Sequence, residues 1–464
     1  MLTIDDLPDD DLLAIFDFCV FRYQYQYLGS FYLDQFDIEG QIESWQSLVH
    51  VCRRWRCLVF ESARHLNLRL VRKTSVTAKK SLDVWPALPL ILLGDVFSVG
   101  SLIPKLEHSD RICQIQLSFY ATAYLETLWT AMQVPFPGLV ALRLSLPGWP
   151  GEPALPDSFL GGSAPRLRYL TLILIPFPRL PKLLLSATHL VHLYLHGIPR
   201  SGYISPEAMV TCLSVLTCLE ELHFHFQSPH PSPDQESRRP LPPTRTVLPA
   251  LTKFGFKGIN GYFEDFVSRI DAPRLYRLSI MLFNDNDTPE PNQFISRTPG
   301  FGAYNEARLI FHDDDALVRL QSQPDHGMVE VQTFLGEPVR QFSSLGKICT
   351  SSLHLLLTMD NLYFEVKRST LFSTDAIENT DWLNILLPFT AVKNLYLPGA
   401  LWPRMGPALQ ELTGGRTTEV LPALENVLLE GFQPSEPVQE GIEEFISARQ
   451  LINRPVAISA WDRG

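Results

Sequence analysis

The sequence predicts an α/β chain in which a small N-terminal helical module is followed by an irregular array of repeated strands. Three observations support this. Nine separate segments place an apolar residue at positions i, i+3 and i+5, and two short helical patterns precede residue 62. Proline accounts for 37 of 464 residues, about 8% where roughly 5% is usual. Frequent prolines favour many short helices and strands over a few long ones.

Composition favours a folded chain and argues against a general nucleic-acid binder. Hydrophobic residues make up 45%, and 39 Lys and Arg stand against 50 Asp and Glu, a formal charge of −11. Nucleic-acid binders need a basic footprint. The N-terminus is acidic, no secretory signal is visible, and no long uninterrupted apolar stretch occurs. Seven scattered cysteines form no CxxC pair. We therefore expect a soluble cytoplasmic or nuclear protein with reduced cysteines.

The nine repeated segments follow the pattern Leu-x-x-Leu-x-Leu, which is the strand signature of a leucine-rich repeat. They span residues 112–117, 139–144, 167–172, 190–195, 219–224, 251–256, 275–280, 392–397 and 424–429. Their final positions between residues 117 and 280 are 27, 28, 23, 29, 32 and 24 residues apart. The Asn that normally follows such a strand is missing at nearly every repeat. We expect a degenerate, irregular leucine-rich-repeat solenoid over residues 63–435.

Three segments depart from the repeat. The spacing widens between residues 281 and 391, where we expect hairpin insertions, one of them turning at His312–Asp315. Residues 227–247 contain six prolines and almost no apolar residues, which predicts a disordered loop. Residues 436–464 show helical apolar spacing, and we expect a helical cap at the end of the array.

The N-terminal module contains two amphipathic helical patterns. Pro8 suits the first turn of a helix, after which Leu12, Ile15 and Phe16 share one face. Residues 44–60 repeat the helical spacing in a second segment. Helices this short cannot bury their apolar faces alone, so they must pack on each other, on the rest of the chain or on a partner.

The segments LPDDDLLAIF and LVHVCRRWRCLVF together resemble an F-box, and the continuation LNLRL and LDVWPALPLIL resembles the F-box proteins abundant in mushroom-forming fungi. The resemblance implies that residues 1–62 dock the Skp-type adaptor of a cullin–RING ubiquitin ligase. The matching positions are Leu7, Pro8, Leu12, Ile15, Phe16, Leu48, Val51, Cys52, Trp55 and Leu58.

Within this module, Leu7 and Pro8 are the stronger candidates for direct adaptor contact, whereas Ile15 and Trp55 are expected to face inward. The alternative is that all ten matching residues form the core of an ordinary helical cap. Residues 19–43 interrupt the two halves of the motif and are interpreted as an insertion.

The residues between the apolar positions of each strand should point to the open side of the array, where a solenoid holds a protein ligand. Aligning the repeats places His196 beside His225 and Tyr194 beside His223. The candidate target-binding residues are His192, Tyr194, His196, His223, His225, Lys253, Lys257 and Tyr396. A solvated strand face without a partner is the alternative. A zinc site built from His196, His223 and His225 with Cys212 or Cys218 lacks the compact spacing of known motifs.

No catalytic motif is present in the sequence, so we expect no enzyme, no cofactor and no metal. The first hypothesis is a substrate receptor of a cullin–RING (SCF-type) ubiquitin ligase, binding the adaptor through the N-terminal module and a target through the repeats. The alternative is a leucine-rich-repeat scaffold that binds proteins outside a ubiquitin ligase. The sequence does not name the target.

Overall fold

The computed structural model divides the chain into two compact units, Met1–Gln227 and Ser228–Gly464. The residues it describes are 4–20, 42–74, 86–97, 100, 102–121, 123–146, 154–176, 182–229, 244–283, 292–301, 304–312, 315–321, 327–334, 338–351, 353–367, 377–398, 401–410, 419–431 and 436–461. The division falls within the proline-rich segment 227–247. The predicted boundary after residue 62 stays a prediction.

The first unit begins with short helices, as the apolar spacing predicts. A 3-10 turn at Ile4–Asp6 leads into α1 (Asp9–Cys19), and α2 (Gln46–Val49) precedes α3 (Arg53–Glu61). Three aspartates lie in the first turn of α1, where their negative charges interact favourably with the positive end of the helix dipole. Most of the insertion, residues 21–41, lies outside the described residues.

The helical module packs against the first strand of the sheet, β1 (Leu70–Lys73). Trp45 donates its indole N–H to the carbonyl of Arg69 at 3.0 Å, and Glu43 accepts the backbone N–H of Val71 at 2.7 Å. Ile42 packs with Val71 and neighbouring strand residues in one apolar cluster. Because β1 ends the strand order of this unit, these contacts cover backbone groups that would otherwise form an open sheet edge.

Parallel strands build the rest of the first unit. Six more strands follow β1 in chain order: β2 (Leu90–Val96), β3 (Ile112–Phe119), β4 (Ala141–Ser145), β5 (Tyr169–Ile173), β6 (His192–Ile198) and β7 (Glu221–Phe226). The connections contain α4 (Ile103–Leu106), α5 (Leu125–Ala131), a 3-10 turn at Phe159–Gly162, α6 (Lys182–Ser186), a 3-10 turn at Arg200–Gly202 and α7 (Pro206–Leu213). Each strand pairs in parallel with the next.

The register of these strands explains the repeated pattern. The final apolar positions of five successive repeats, Leu117, Leu144, Leu172, Leu195 and Phe224, are direct Cα partners across the sheet. All five side chains are at most 2% exposed. The pattern therefore describes one continuous apolar row, and the sheet is leucine-rich-repeat-like.

The second unit continues the same construction with longer connections. Its strands are β8 (Thr246–Val247), β9 (Lys253–Gly258), β10 (Ile270–Asp271), β11 (Arg277–Leu282), β12 (Glu306–Phe311), β13 (Asp315–Gln321), β14 (Met328–Phe334), β15 (Asn361–Val366), β16 (Asn394–Pro398), β17 (Asn426–Glu430) and β18 (Ala457–Trp461). Its helices are α8 (Asn260–Ser268), α9 (Asn292–Ser296), α10 (Pro338–Ser351), α11 (Leu353–Leu356), α12 (Asn379–Leu386), α13 (Trp402–Gln410) and α14 (Glu436–Leu451).

The strands of the second unit follow the order β9-β11-β14-β13-β12-β15-β16-β17-β18, with β8 and β10 paired separately. The hairpins expected between residues 281 and 391 are present, because β13 pairs antiparallel with both β12 and β14. The backbone N–H of His312 donates to the carbonyl of Asp315 at 2.8 Å and closes the first hairpin. The repeat then resumes, since β12 and β15 are parallel.

Two predictions about the connections need correction. The helical cap is present as α14, but the chain then adds β18, which pairs in parallel with β17, so the sheet and not the helix ends the described array. The proline-rich segment 227–247 ends in β8, which pairs with β10. The backbone of Thr246 finds partners there that sequence reasoning did not foresee. Residues 230–243 of that segment lie outside the described residues.

No helix among the described residues is both long enough and apolar enough to span a membrane.

Candidate protein-binding surfaces

The ten residues of the F-box-like motif divide into a core and an accessible set. Leu12, Phe16, Leu48, Trp55 and Leu58 are at most 8% exposed. Phe16 and Trp55 pack with ring centroids 4.7 Å apart, which joins α1 to α3. These five buried side chains stabilise the module and are not accessible for direct contact with an adaptor.

The accessible set consists of Leu7, Pro8, Ile15, Val51 and Cys52. Ile15 is 38% exposed, so the expectation that it faces inward is wrong. Leu12 and Phe16 occupy the inner face, and one residue of helix turns the side chain by about 100° away from it. Val51 is 58% exposed, and Pro8 is exposed. Cys52 caps α3, because its Sγ accepts the backbone N–H of Trp55 at 3.4 Å.

A guanidinium holds the start of the module together. Arg54 on α3 donates to the carboxylate of Asp9 at 2.7 Å and to the carbonyl of Leu7 at 2.6 Å. The ion pair is largely exposed and contributes little to stability by itself. Its effect is to fix the position of Leu7 and Pro8 relative to α3.

The structure brings the five predicted residues of the first unit together with Tyr169 and Glu221 on one surface. We call this surface the histidine strip: Tyr169, His192, Tyr194, His196, Glu221, His223 and His225. All lie on the open face, which carries the side chains that alternate with the buried leucines, and all are partly buried. His192 stacks on Tyr169 with centroids 4.8 Å apart, and Tyr194 stacks on His223 at 4.5 Å. The predicted neighbours Tyr194 and His223 are direct register partners.

One carboxylate organises the histidine strip. Glu221 accepts a hydrogen bond from the hydroxyl of Tyr194 and lies 3.2 Å from Nδ1 of His192. Burial, opposed by the charge of Arg168 and assisted by those of Glu220 and Glu221, raises the pKa of Tyr169. The strip therefore gathers phenols and imidazoles around the Glu221 carboxylate.

The predicted pair His196 and His225 meets at close range. Their Nδ1 atoms are 2.9 Å apart. At this distance one Nδ1 must donate and the other must accept, so the two rings adopt complementary tautomers. Two imidazoles are fewer ligands than a structural zinc needs. Among the described residues, no group of three or more His, Cys, Asp or Glu is arranged to hold a metal.

The cysteines considered for zinc serve the core or the surface instead. Cys212 is buried in α7, and burial raises the pKa of its thiol to about 11. Cys218 is exposed. All seven cysteines are free of disulfides in this structure.

The remaining predicted target-binding residues belong to the second unit. Lys253 and Lys257 lie on β9, both partly buried, and burial lowers the pKa of Lys257. The Lys257 ammonium lies 5.3 Å from the ring centroid of Phe283. The structure thus separates the eight predicted residues into the histidine strip, a basic pair on β9, and Tyr396 on β16.

Tyr396 belongs to a group that sequence reasoning missed, the aromatic cluster of Arg308, Tyr363, Tyr396 and Trp461. Tyr363 and Tyr396 stack with centroids 4.0 Å apart and planes 9° apart. Trp461 lies against both rings at 5.9 and 5.2 Å, and the Arg308 guanidinium lies 4.5 Å from the Tyr363 ring. The triplet Asn-Leu-Tyr, present at 361–363 and again at 394–396, was the available signal.

The same triplet corrects the expectation about asparagine. Asn394 donates to the side-chain oxygen of Asn361 at 2.9 Å and accepts from the side chain of Asn426 at 2.8 Å. These residues open β15, β16 and β17 rather than following the strands. An asparagine ladder therefore exists in the second unit, at a position that the repeat signature does not predict.

Comparison with known proteins gives a limited result. No family model matches the chain, and no curated protein matches it. Among solved structures, the leucine-rich repeat-containing protein LegL7 from Legionella pneumophila aligns over 81% of this chain and 97% of its own, at 10% sequence identity and a TM-score of 0.29. A similarity at this level carries no argument, and the repeat assignment rests on the strand register described above.

Proposed function

We propose that this chain is a protein-binding repeat protein without catalytic activity, acting as a substrate receptor of a cullin–RING ubiquitin ligase. In this proposal the N-terminal helices bind the Skp-type adaptor, and the open face of the repeats binds a target protein. The chain then contributes proximity, because it brings a target lysine close to a ubiquitin-loaded enzyme held elsewhere in the complex.

The observation that supports adaptor binding is that some apolar residues of the helical module form its core while others remain exposed. Leu12, Phe16 and Trp55 supply its core, while Ile15 and Val51 stay exposed at 38% and 58%. Phe18, on the same helix as Ile15, is 93% exposed. Accessible apolar side chains on α1 and in the turn before α3 are what a helical docking module offers a partner.

A pull-down with a purified Skp-type adaptor tests this part of the proposal. The variant Leu7→Ala/Pro8→Ala should bind the adaptor at least about tenfold more weakly than the wild type, in the range of interface hot spots. The matched control is Leu451→Ala/Pro455→Ala, which alters an exposed leucine and an exposed proline of the second unit. If the wild type does not bind, or both double variants bind equally well, the receptor function is wrong.

The second candidate function is a binding scaffold outside any ubiquitin ligase, favoured by the two ordered open-face surfaces, which require no adaptor. Mass spectrometry of proteins that co-purify with the full chain separates the two. A receptor should recover both adaptor and target, and the Leu7→Ala/Pro8→Ala variant should lose the adaptor while keeping the target. A scaffold should recover the target alone from both.

A further inference from the structure

The aromatic cluster of the second unit has the geometry of a site for a cationic side chain. Arg308, Tyr363 and Tyr396 occupy neighbouring positions on β12, β15 and β16, where Arg308 pairs with Tyr363 and Tyr363 with Tyr396 in register. Trp461 on β18 stands at 60° and 69° to the two tyrosine rings. Arg308, both tyrosines and Trp461 remain partly exposed. The cluster therefore presents π-faces and ring edges on the open face of the sheet.

The chain itself shows how this cluster accepts a cation. The Arg308 guanidinium lies over the Tyr363 ring at 4.5 Å, and Nη1 of the same residue donates to Glu365 at 2.6 Å. Burial opposes the charge, but hydrogen bonds and charges from Glu365 and Glu306 raise the pKa of Arg308. One end of the tyrosine stack is thus already capped by a guanidinium held between an aromatic face and carboxylates.

The other end of the cluster repeats these two chemical features. Trp461 pairs in register with Glu430 on β17, and Tyr396 pairs with Leu428. The Trp461 indole therefore lies close to the Tyr396 phenol and the Glu430 carboxylate on the open face. This resembles the surroundings of Arg308, which also combine a phenol with carboxylates. Indole is the ring that attracts cations most strongly.

The charge of this face also favours a cation. Five carboxylates, from Glu306, Asp315, Glu330, Glu365 and Glu430, share the open face of strands β12 to β17 with two guanidiniums, from Arg308 and Arg319. Among these strand residues the carboxylates outnumber the guanidiniums by three. Burial and a hydrogen bond to Tyr396 raise the pKa of Tyr363 well above its ordinary value, so its phenol adds no charge near neutral pH.

We propose that the surface formed by Tyr396, Trp461 and Glu430 binds an arginine side chain from a basic segment of the partner protein. The guanidinium stacks on the aromatic rings and pairs with the Glu430 carboxylate. A planar guanidinium is favoured over an ammonium because it stacks and forms bidentate hydrogen bonds. The inference rests on the proposed function for its partner, and it names the chemistry by which the second unit selects that partner.

Fluorescence anisotropy with the full chain tests the site. The probes are labelled nine-residue peptides of Gly and Ser carrying three arginines, or three lysines or three citrullines at the same positions. The arginine peptide should bind most tightly, the lysine peptide about threefold to tenfold more weakly, and the uncharged citrulline peptide weakest. Equal affinity for arginine and lysine would indicate unspecific charge attraction and would overturn the proposal.

Variants locate the binding to these residues. Trp461→Ala should weaken binding of the arginine peptide about tenfold. Glu430→Gln should also weaken this binding, while it preserves the shape of the side chain. The controls are Tyr276→Ala, an exposed ring elsewhere in the second unit, and Glu220→Gln in the first unit. If Trp461→Ala unfolds the edge of the sheet, the affinity of Glu430→Gln for the arginine peptide still tests the site. Wild-type affinity in Glu430→Gln contradicts the site. Because the adaptor pull-down depends on Leu7 and Pro8 alone, the site and the receptor function can fail independently.

Discussion

The histidine strip of the first unit and the aromatic cluster of the second are built by the same device but differ in chemistry. In both, rings at matching register positions on adjacent parallel strands stack, at 4.5 Å for Tyr194 and His223 and 4.0 Å for Tyr363 and Tyr396. Parallel strands lie about 4.8 Å apart, so in-register rings meet at stacking distance without further adjustment. The scaffold sets the spacing, and the open-face residues set the chemistry.

The difference between the two surfaces is their charge. The histidine strip surrounds a single carboxylate, Glu221, with phenols and imidazoles. The aromatic cluster contains a guanidinium, Arg308, paired with the carboxylates of Glu306 and Glu365, and its Trp461 is the register partner of Glu430. The open faces of the two units therefore suit different ligand groups.

The largest expected effect comes from the buried apolar row behind each surface. Leu195→Ala in the first unit and Leu397→Ala in the second remove side chains that are 2% and 0% exposed. Each should lower the free energy of unfolding by about 2–5 kcal/mol, because a buried leucine leaves a cavity. Chemical denaturation followed by circular dichroism measures this. The control is Leu185→Ala, at a leucine that is 37% exposed. A small loss in one unit only would show that the two cores are not equivalent.

A smaller effect distinguishes the units, since the asparagine ladder described above belongs to the second. Asn394→Ala removes the hydrogen bonds to both Asn361 and Asn426, whereas Asn426→Ala removes the one to Asn394. Asn394→Ala should lower the free energy of unfolding by about 1–2 kcal/mol and Asn426→Ala by about half as much. Equal losses in denaturation experiments would mean that the ladder does not act as a connected row.

The smallest effect concerns pH and the aromatic cluster. Because the folded pKa of Tyr363 is raised, its stabilising contribution is fully present below its ordinary value of 10.0 and is lost as the pH rises from there toward the folded pKa. Tyr363→Phe should therefore flatten the decline of stability above about pH 10. Denaturation midpoints between pH 9 and pH 11 measure this, with Tyr276→Phe as the control. An unchanged pH dependence in Tyr363→Phe would contradict the prediction.

The repeat was predictable because it follows from local rules. Because side chains alternate along a strand, the pattern Leu-x-x-Leu-x-Leu indicates which side chains are buried. The nine predicted segments all contain a strand. The hairpins near His312 were also predictable, since a run of aspartates between two apolar segments favours a turn. The terminal strand β18 was not, because AISAW is short and lacks the full repeat signature.

The surfaces were only partly predictable. His196 and His225 are separated by 29 residues in the chain, close to the repeat length, so alignment placed them side by side. Arg308 and Tyr363 are 55 positions apart in the chain and belong to strands separated by two hairpin strands and two helices. Their contact depends on β12 pairing with β15 across that insertion, and no local pattern specifies it.

By itself, the sequence determined the apolar periodicity, and with it the parallel strands and the buried rows. It also determined which residue types the open face carries. Only the tertiary structure decided which of those residues meet, because register and strand order are non-local. They placed Trp461 beside Tyr396 and joined three asparagines into a ladder. Local propensity acts over a few residues, whereas these contacts arise when distant repeats pair side by side.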